Sequence, residues 1–483
     1  MKHTKFLLFL FLFSLCIRAL FFALYLREDD RCIIGFDGEQ YQNIAENIVE
    51  GNGIAQAPGE PNFYRLPGYP LFLASCYKIL GINIVTQKLV TQKLVPQANT
   101  QTSHHAVTRR PGLCKIAENV LWLQLILASF IPLLVFWLSL VLLPSFIILA
   151  KIAGLWAAVH VGFVLYAGML ASESLFLLLF LLFLCLFFSH YRLWLEQPKK
   201  FSWADWVSIG VALGLASLVR AVGHYVIILL MLMVLVTGFT QKEKIKAIVS
   251  LFFGWLSVIG WWLLRNYLLA GFLFFHTLPG LHFLQYPAVH AIMGYPNFGD
   301  SLYFETKKQV LAEWDKLIKQ QEQKENRILN EYERYAIAER LAGKHILQRP
   351  IIAFKNACVQ MAKTCCTLYS SLLLYVPAGT VYEKGTSLWF KIKLYLFPKT
   401  HEPWVVWVVY WEVLYFLFML VGLIIFFVGL PWEKTYCIIA LKIFPIMGLF
   451  IFITLGYGCA RLRLPIEPFL MILSLLGWRR IKS

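Results

Sequence analysis

Long apolar runs constrain this chain more than anything else in it. Ten stretches, at 6–26, 117–143, 145–168, 173–191, 204–221, 223–240, 247–269, 404–430, 435–456 and 463–479, each approach the length that crosses a bilayer, about 20 apolar residues. Inside hydrocarbon no water can satisfy backbone N–H and C=O groups, so such runs fold as helices that bond to themselves. The sequence therefore predicts an all-α polytopic membrane protein with about ten transmembrane helices. Pro144 divides the second run from the third, because proline removes a backbone donor and clashes with the preceding turn.

Composition agrees. Of 483 residues, 59% are hydrophobic and 15% charged, against about 25% charged in soluble proteins. The net charge of +17 does not indicate nucleic acid, because the basic residues sit largely in short loops between apolar runs, the pattern of cytoplasmic loops and lipid head groups. Lys2 and Lys5 precede the run 6–26, which is too long for a signal-peptide core and has no small-residue cleavage site after it; it reads as a retained first helix. The ten cysteines lack C-x-x-C spacing, and Cys16 and Cys185 lie in apolar runs as small hydrophobes. Cys32, Cys76 and Cys114 share one outer loop, where a single disulfide is open.

Lysine and arginine placement sets the orientation. Lys2 and Lys5, then Arg192, Lys199 and Lys200, then Lys242, Lys244 and Lys246, then Arg479, Arg480 and Lys482 all fall inside if the number of spans is even. Two large pieces, 27–116 and 271–350, then face outward. In the second, Val310, Leu311, Trp314, Leu317 and Ile318 recur at helical spacing, and another amphipathic stretch runs from Ile328 to Leu347. The expected division is a catalytic membrane module 1–270 that includes the loop 27–116, an outer helical loop 271–350, and a C-terminal membrane module 351–483. The segment 351–376 is apolar but carries Lys355, Asn356, Gln360 and Lys363, so it either lies at the interface or packs within the bundle; if it crosses, a second crossing falls in 386–398. The tandem Thr86–Val90 and Thr91–Val95 opens a polar insertion over 84–110, whose His104 and His105 have no further metal ligand nearby.

Charged groups at the membrane edge are costly and persist when paired or functional. Asp37 follows the first span, Glu173 opens the fourth, Arg220 and His224 mark the break between the fifth and sixth, Arg265-Asn266 ends the seventh, and Arg461 and Arg463 open the last. With the orientation above they all face the outer aqueous level. Each has a plainer role available: Arg265 as a snorkelling anchor, Glu173 as a helix cap, Arg461 and Arg463 as lipid contacts, Asp37 as a loop acid.

Read in order, Asp37 with Tyr41, Gly51-Asn52-Gly53, Arg65-Leu66-Pro67-Gly68-Tyr69-Pro70-Leu71-Phe72, Ser172-Glu173, Leu218-Val219-Arg220, Trp262-Leu263-Leu264-Arg265-Asn266-Tyr267 and Arg461-Leu462-Arg463-Leu464-Pro465-Ile466-Glu467-Pro468 resemble the integral-membrane glycosyltransferases of the C-type fold. Within that class the chain is most similar to the lineage of dolichyl-phosphate-mannose protein mannosyltransferases and lipid A aminoarabinose transferases. The resemblance implies a polyprenyl-phosphate sugar donor, a lipid, glycan or protein acceptor, and an active site on the outer face of a bacterial inner membrane. It matches Asp37 and Glu173 to catalytic acids and Arg65 to a lysine that contacts the donor phosphate. Tyr41, Tyr69, Arg220, Arg265, Asn266, Arg461 and Arg463 are the other expected substrate-binding residues. No cofactor is assigned; a divalent metal stays open, because Tyr64 stands where those transferases place a metal-binding glutamate. Asp37 is the expected base toward the acceptor, and the arginines are expected to neutralise the departing phosphate. The alternative for such buried charges is a transporter or flippase.

Overall fold

A computed structural model describes residues 3–26, 37–82, 111–196, 202–296, 301–373, 397, 403–429, 434–453 and 457–480. The chain is an all-α polytopic membrane protein. It opens with α1 (Thr4–Phe21), continued by a π-helical turn (Phe22–Leu26). The first extramembrane region then holds α2 (Gly38–Val49), a two-stranded antiparallel ribbon of β1 (Ala55–Ala57) and β2 (Glu60–Pro61) in the register Ala55↔Pro61, and α3 (Gly68–Ile79). The bundle continues with α4 (Pro111–Ala128), α5 (Ile131–Leu142), α6 (Ile147–Val159), α7 (Val161–Ala167), α8 (Glu173–Glu196), α9 (Trp203–Val219), α10 (Val222–Leu235) and α11 (Gln241–Ala270).

The second extramembrane region comprises α12 (Leu278–Phe283), a π-helical turn (Leu284–Ala288), α13 (Val289–Met293), α14 (Ser301–Glu325) and α15 (Glu331–Gln348), and α16 (Pro350–Cys366) follows it. The bundle closes with α17 (Pro403–Gly429), α18 (Lys434–Ile453), the short α19 (Ala460–Arg463), a 3₁₀ turn (Leu464–Ile466) and α20 (Glu467–Arg480).

Every expected span meets a helix or a helix pair, though not always a long one. Among the described residues six stretches are long and apolar enough to cross a membrane, and α6 with α7 is apolar enough only as a pair, bent by 48° at the break between them. Runs 204–221 and 223–240 become helices of 17 and 14 residues, and the last run becomes one of 14. These are short because Arg220 and the Arg461–Pro465 segment interrupt the apolar pattern and turn the chain toward polar partners. Of the segment 351–376, the described residues, up to 373, form α16 and a 3₁₀ turn (Tyr369–Leu372), not a long apolar helix. The insertion 84–110 lies outside the described residues, as do Cys32 and the expected crossing at 386–398 apart from Phe397; of the other two outer-loop cysteines, Cys114 falls in α4 and Cys76 is a buried free thiol.

Helix starts follow local chemistry. Ser202 with Asp205, Thr240 with Glu243 and Asn330 with Glu333 form capping boxes at α9, α11 and α15, each satisfying orphan N–H groups. Gly210 of α9 sits on the α11 backbone between Leu251 and Trp255, Gly254 of α11 sits on the Val207 backbone, and Gly214 faces Val258; small residues allow this close backbone approach where lipid gives no hydrophobic drive.

Buried charge also holds the bundle. Arg18 in α1, fully buried, donates to Ser14 Oγ at 2.5 Å and to the Ala158 carbonyl at 3.2 Å, beside the bend of α6 and α7. At that bend His160 caps α7 through Nδ1, which accepts from Phe163 N–H, and its Nε2 lies 3.6 Å from Glu467. Glu467 also accepts from Arg463 at 2.6 Å and from Tyr369 Oη at 3.0 Å. Glu412 of α17 accepts the backbone N–H groups of Tyr369 and Ser370 at 2.6 Å each.

Candidate active site

The first extramembrane region meets the ends of bundle helices through an ionic chain. Asp37 occupies the N-cap position of α2, yet its carboxylate makes no cap bond. It turns instead to two guanidiniums: Arg65 Nη2 donates to Oδ1 at 2.5 Å and Arg461 Nη2 to Oδ2 at 2.6 Å. Arg461 also donates through Nε to Glu173 Oε1, which receives Arg220 Nη1 as well. The result is an alternating chain, Arg65–Asp37–Arg461–Glu173–Arg220, drawn from five separate segments.

Two glycines make this convergence sterically feasible. A Cβ on Gly38 would stand 2.8 Å from the Leu170 carbonyl oxygen, so only glycine lets the start of α2 lie on the turn before Glu173. A Cβ on Gly68 would meet Leu218 carbonyl atoms at 2.7 Å, so only glycine seats α3 against the end of α9, where Arg220 follows. Tyr69 Oη donates to Gln124 Oε1 at 2.8 Å, and Gln124 Nε2 donates to the carbonyls of Ala167 and Met169 at 2.9 and 2.8 Å. That brace fixes the turn leading into Glu173. Tyr41 donates to Ser172 Oγ at 3.3 Å and stands under Arg65, whose guanidinium also faces Tyr64. Gln40 accepts from Arg65 Nε at 2.7 Å.

Burial would raise the Asp37 pKa, but Arg461 and Arg65 more than reverse this and hold its carboxyl well below the usual carboxylate range. Glu173 is 2% exposed, and its Oε2 has no hydrogen-bond partner among the described residues. Beside the ionic chain, His282 and Tyr286 of the second extramembrane region group with Tyr457, with ring centroids 4.7 Å (His282–Tyr286) and 5.0 Å (Tyr286–Tyr457) apart. Burial pulls His282 down to about 4, with Asp37 opposing and Arg65, Arg461 and Lys307 reinforcing the shift; its imidazole is therefore neutral at pH 7.

Other expected substrate-binding residues have different partners. Arg265 donates to the backbone carbonyls of Asn62 at 2.9 Å and Ile54 at 2.8 Å, between the faces of Phe63 and Trp262. Asn266 donates to the Phe274 carbonyl at 3.1 Å, and Trp262 Nε1 to that of Phe275 at 2.6 Å. The Trp262–Asn266 motif thus clamps the ribbon loop and folds back the chain after α11. Arg463, 2% exposed, is bound by Glu467 and by the carbonyls of Thr364, Cys365 and Thr367, which fixes the turn that presents Arg461 two residues earlier. Arg265, Asn266 and Arg463 therefore do not contact the ionic chain; carbonyls that the turning backbone leaves unpaired claim them first.

Residues the sequence reading did not single out are Gln40, Arg18, His282, Tyr286 and Tyr457. Among the described residues no group of three or more His, Cys, Asp or Glu side chains could hold a metal ion. The two site carboxylates share the Arg461 guanidinium, so the residues present do not fit a divalent-cation site. A cavity of about 450 Å³ lies between α8 and α9 along Leu182, Trp203, Val207, Val211 and Leu215. At about 100° per residue, Leu182 projects from the side of α8 opposite Glu173, so this groove is not part of the ionic site.

No family model matches the chain, and no curated protein matches it. Among solved structures it is similar to the Archaeoglobus fulgidus oligosaccharyltransferase tethered with an acceptor peptide containing the NVT sequon, at 13% identity and a TM-score of 0.49, covering 99% of this chain and 50% of that chain. The apo form of that enzyme gives 13% identity, a TM-score of 0.47 and coverage of 99% and 51%. ArnT from Cupriavidus metallidurans bound to undecaprenyl phosphate gives 15% identity, a TM-score of 0.36 and coverage of 99% and 79%. The chain spans about half the length of the archaeal enzyme. Likeness at this level concerns the path of the chain, and what the protein does has to be argued from its own residues.

Proposed function

We propose that this protein is a glycosyltransferase that moves a sugar from a polyprenyl-phosphate donor to an acceptor hydroxyl or amine at the extracytoplasmic face of a membrane, with inversion. The observation that carries the reading is the chain Arg65–Asp37–Arg461–Glu173–Arg220 at the ends of membrane helices. It combines what phosphate departure and proton removal need, fixed cations and carboxylates, at a membrane edge where a lipid-linked donor can reach them.

In the reaction the acceptor oxygen or nitrogen forms a bond to the anomeric carbon as the bond from that carbon to the phosphate oxygen breaks. The electron pair leaves with the lipid phosphate, and the acceptor proton passes to a carboxylate. Guanidiniums fixed in a dry site stabilise the departing phosphate more than water does. Asp37 is the base, but between two arginines it is a weak one. The donor phosphate competes with it for Arg65 and Arg461; as the cations turn to the phosphate, Asp37 regains basicity. The unpartnered Oε2 of Glu173 is suited to orient the acceptor by accepting from its O–H or N–H. Arg265, Asn266, Tyr69 and Arg463 act on this chemistry by holding the loops that carry Asp37, Arg65, Glu173 and Arg461.

A transporter or flippase would expose a broken helix to its cargo. The bend at His160 is such a break, but its imidazole is directed at Phe163 N–H and Glu467 within the protein, which favours the enzyme. Purified protein incubated with radiolabelled polyprenyl-phosphate sugars tests the reading. Label is expected to pass to an acceptor, or slowly to water, with release of polyprenyl phosphate. Label that only crosses the bilayer, chemically unchanged, would support transport instead.

A further inference from the structure

Helix α16 is inside out. The residues it buries are polar: Asn356, Gln360 and Thr364 are 4%, 1% and 1% exposed. Its outward side is apolar, with Ile351 and Phe354 exposed by 82% and 73%, and Val359 and Cys358 also exposed; Leu347, at the end of α15, extends the stripe at 77%. An amphipathic helix in water does the reverse. Ile351, Phe354 and Cys358 step by three and four residues, so they form one face of α16, with Val359 beside them. The apolar membrane helix α18 packs on α16 and likewise exposes large apolar side chains, Leu441 and Phe452. Lys355, exposed on the same side, can carry its ammonium to the head groups while its stem stays in the apolar layer.

We propose that α16 is seated in the bilayer leaflet nearest the ionic chain, with the Ile351–Phe354–Cys358 face against lipid acyl chains. Its polar side then serves as a membrane-borne clasp. Asn356 Nδ2 donates to the His290 carbonyl at 2.8 Å and Lys363 Nζ to the Pro296 carbonyl at 2.7 Å, which secures the segment carrying His282 and Tyr286. Gln360 Oε1 accepts from Gly458 N–H at 3.1 Å, and the Thr364 and Cys365 carbonyls receive Arg463, which secures the segment carrying Arg461. Lipid packing around α16 therefore acts on the placement of both sides of the site. This seat does not depend on what reaction the site performs.

The full-length protein, reconstituted in nanodiscs with a phospholipid bearing a diazirine near the end of one acyl chain, is irradiated, and lipid adducts are mapped by mass spectrometry. Adducts are expected on the peptide containing Ile351 and Phe354 at a yield within about two-fold of that on Leu441 and Phe452 of α18, and at background on the water-facing Lys316 and Lys319 of α14. Phe354→Leu is expected to keep the α16 adducts and Phe354→Asp to lose them while α18 stays labelled. Background labelling of wild-type α16 beside labelled α18 would overturn the proposal. So would chain-to-chain adducts at Phe354, which would mean that a second copy covers the stripe.

Discussion

At the residue scale the account turns on Asp37. Asp37→Asn removes the proton acceptor while keeping shape, so the variant is expected to express and fold as wild type and to lose transfer by about 10²- to 10⁴-fold. The check is turnover on matched amounts of protein that elute identically in size-exclusion chromatography; unchanged turnover would remove Asp37 as base. Its pH behaviour follows from the two arginines. The folded pKa lies below the unfolded one, so Asp37 contributes stability above about pH 4, which is lost as pH falls through the folded value. Because kcat/KM reports the free enzyme, Asp37 is expected to produce no fall in kcat/KM between pH 7 and pH 5. An acid limb centred in that range would assign the base to another group. Arg265 gives a different outcome: Arg265→Ala frees the Asn62 and Ile54 carbonyls, each charge-assisted bond being worth about 1.5–3 kcal/mol. Faster amide exchange in residues 52–66 is the expected readout, and unchanged protection there would contradict the clamp.

At the element scale the decisive feature is how α2 and α3 are seated. Gly68→Val would drive side-chain atoms into the backbone of Leu218, an overpacking that costs about 1–3 kcal/mol. The expected result is a lower thermal midpoint together with a large loss of transfer, since Arg65 and Arg220 lose their alignment; a variant with wild-type midpoint and rate would show that the close approach is dispensable. The bundle helices, rather than α2 and α3, were largely legible in the sequence. Apolar run lengths gave the bundle helices, and the short motifs at their ends held Asp37, Arg65, Glu173, Arg220 and Arg461, because an acid or arginine beside hydrocarbon needs a partner. What the sequence did not tell was which partner. Arg265, Arg461 and Arg463 are the same residue type at similar helix ends, yet one bridges carboxylates and two bind carbonyls, and only the folded path of the backbone separates them. Arg18 escaped notice as a lone charge in an apolar run, and His282, Tyr286 and Tyr457 because the segments that hold them have no periodic pattern.

At the scale of the whole molecule, two extramembrane regions distant in sequence close over one end of the bundle. The first supplies Asp37 and Arg65. The second reaches it where Thr277 N–H donates to the Phe63 carbonyl at 3.1 Å and Glu331 accepts from Phe63 N–H and from Thr277 Oγ1. Glu331→Gln weakens this junction without changing its size, and it is expected to raise KM for the donor more than it lowers kcat; equal effects on both would mean the junction does not shape donor entry. The most direct measurement of the central claim is a cryo-electron microscopy structure of the nanodisc-embedded protein with polyprenyl phosphate bound. The phosphate is expected within hydrogen-bond distance of Arg65 and Arg461, with the Asp37–Arg461 pair opened and the hydrocarbon tail running out toward the bilayer. Phosphate density elsewhere, with Asp37 still held between both arginines, would contradict the account.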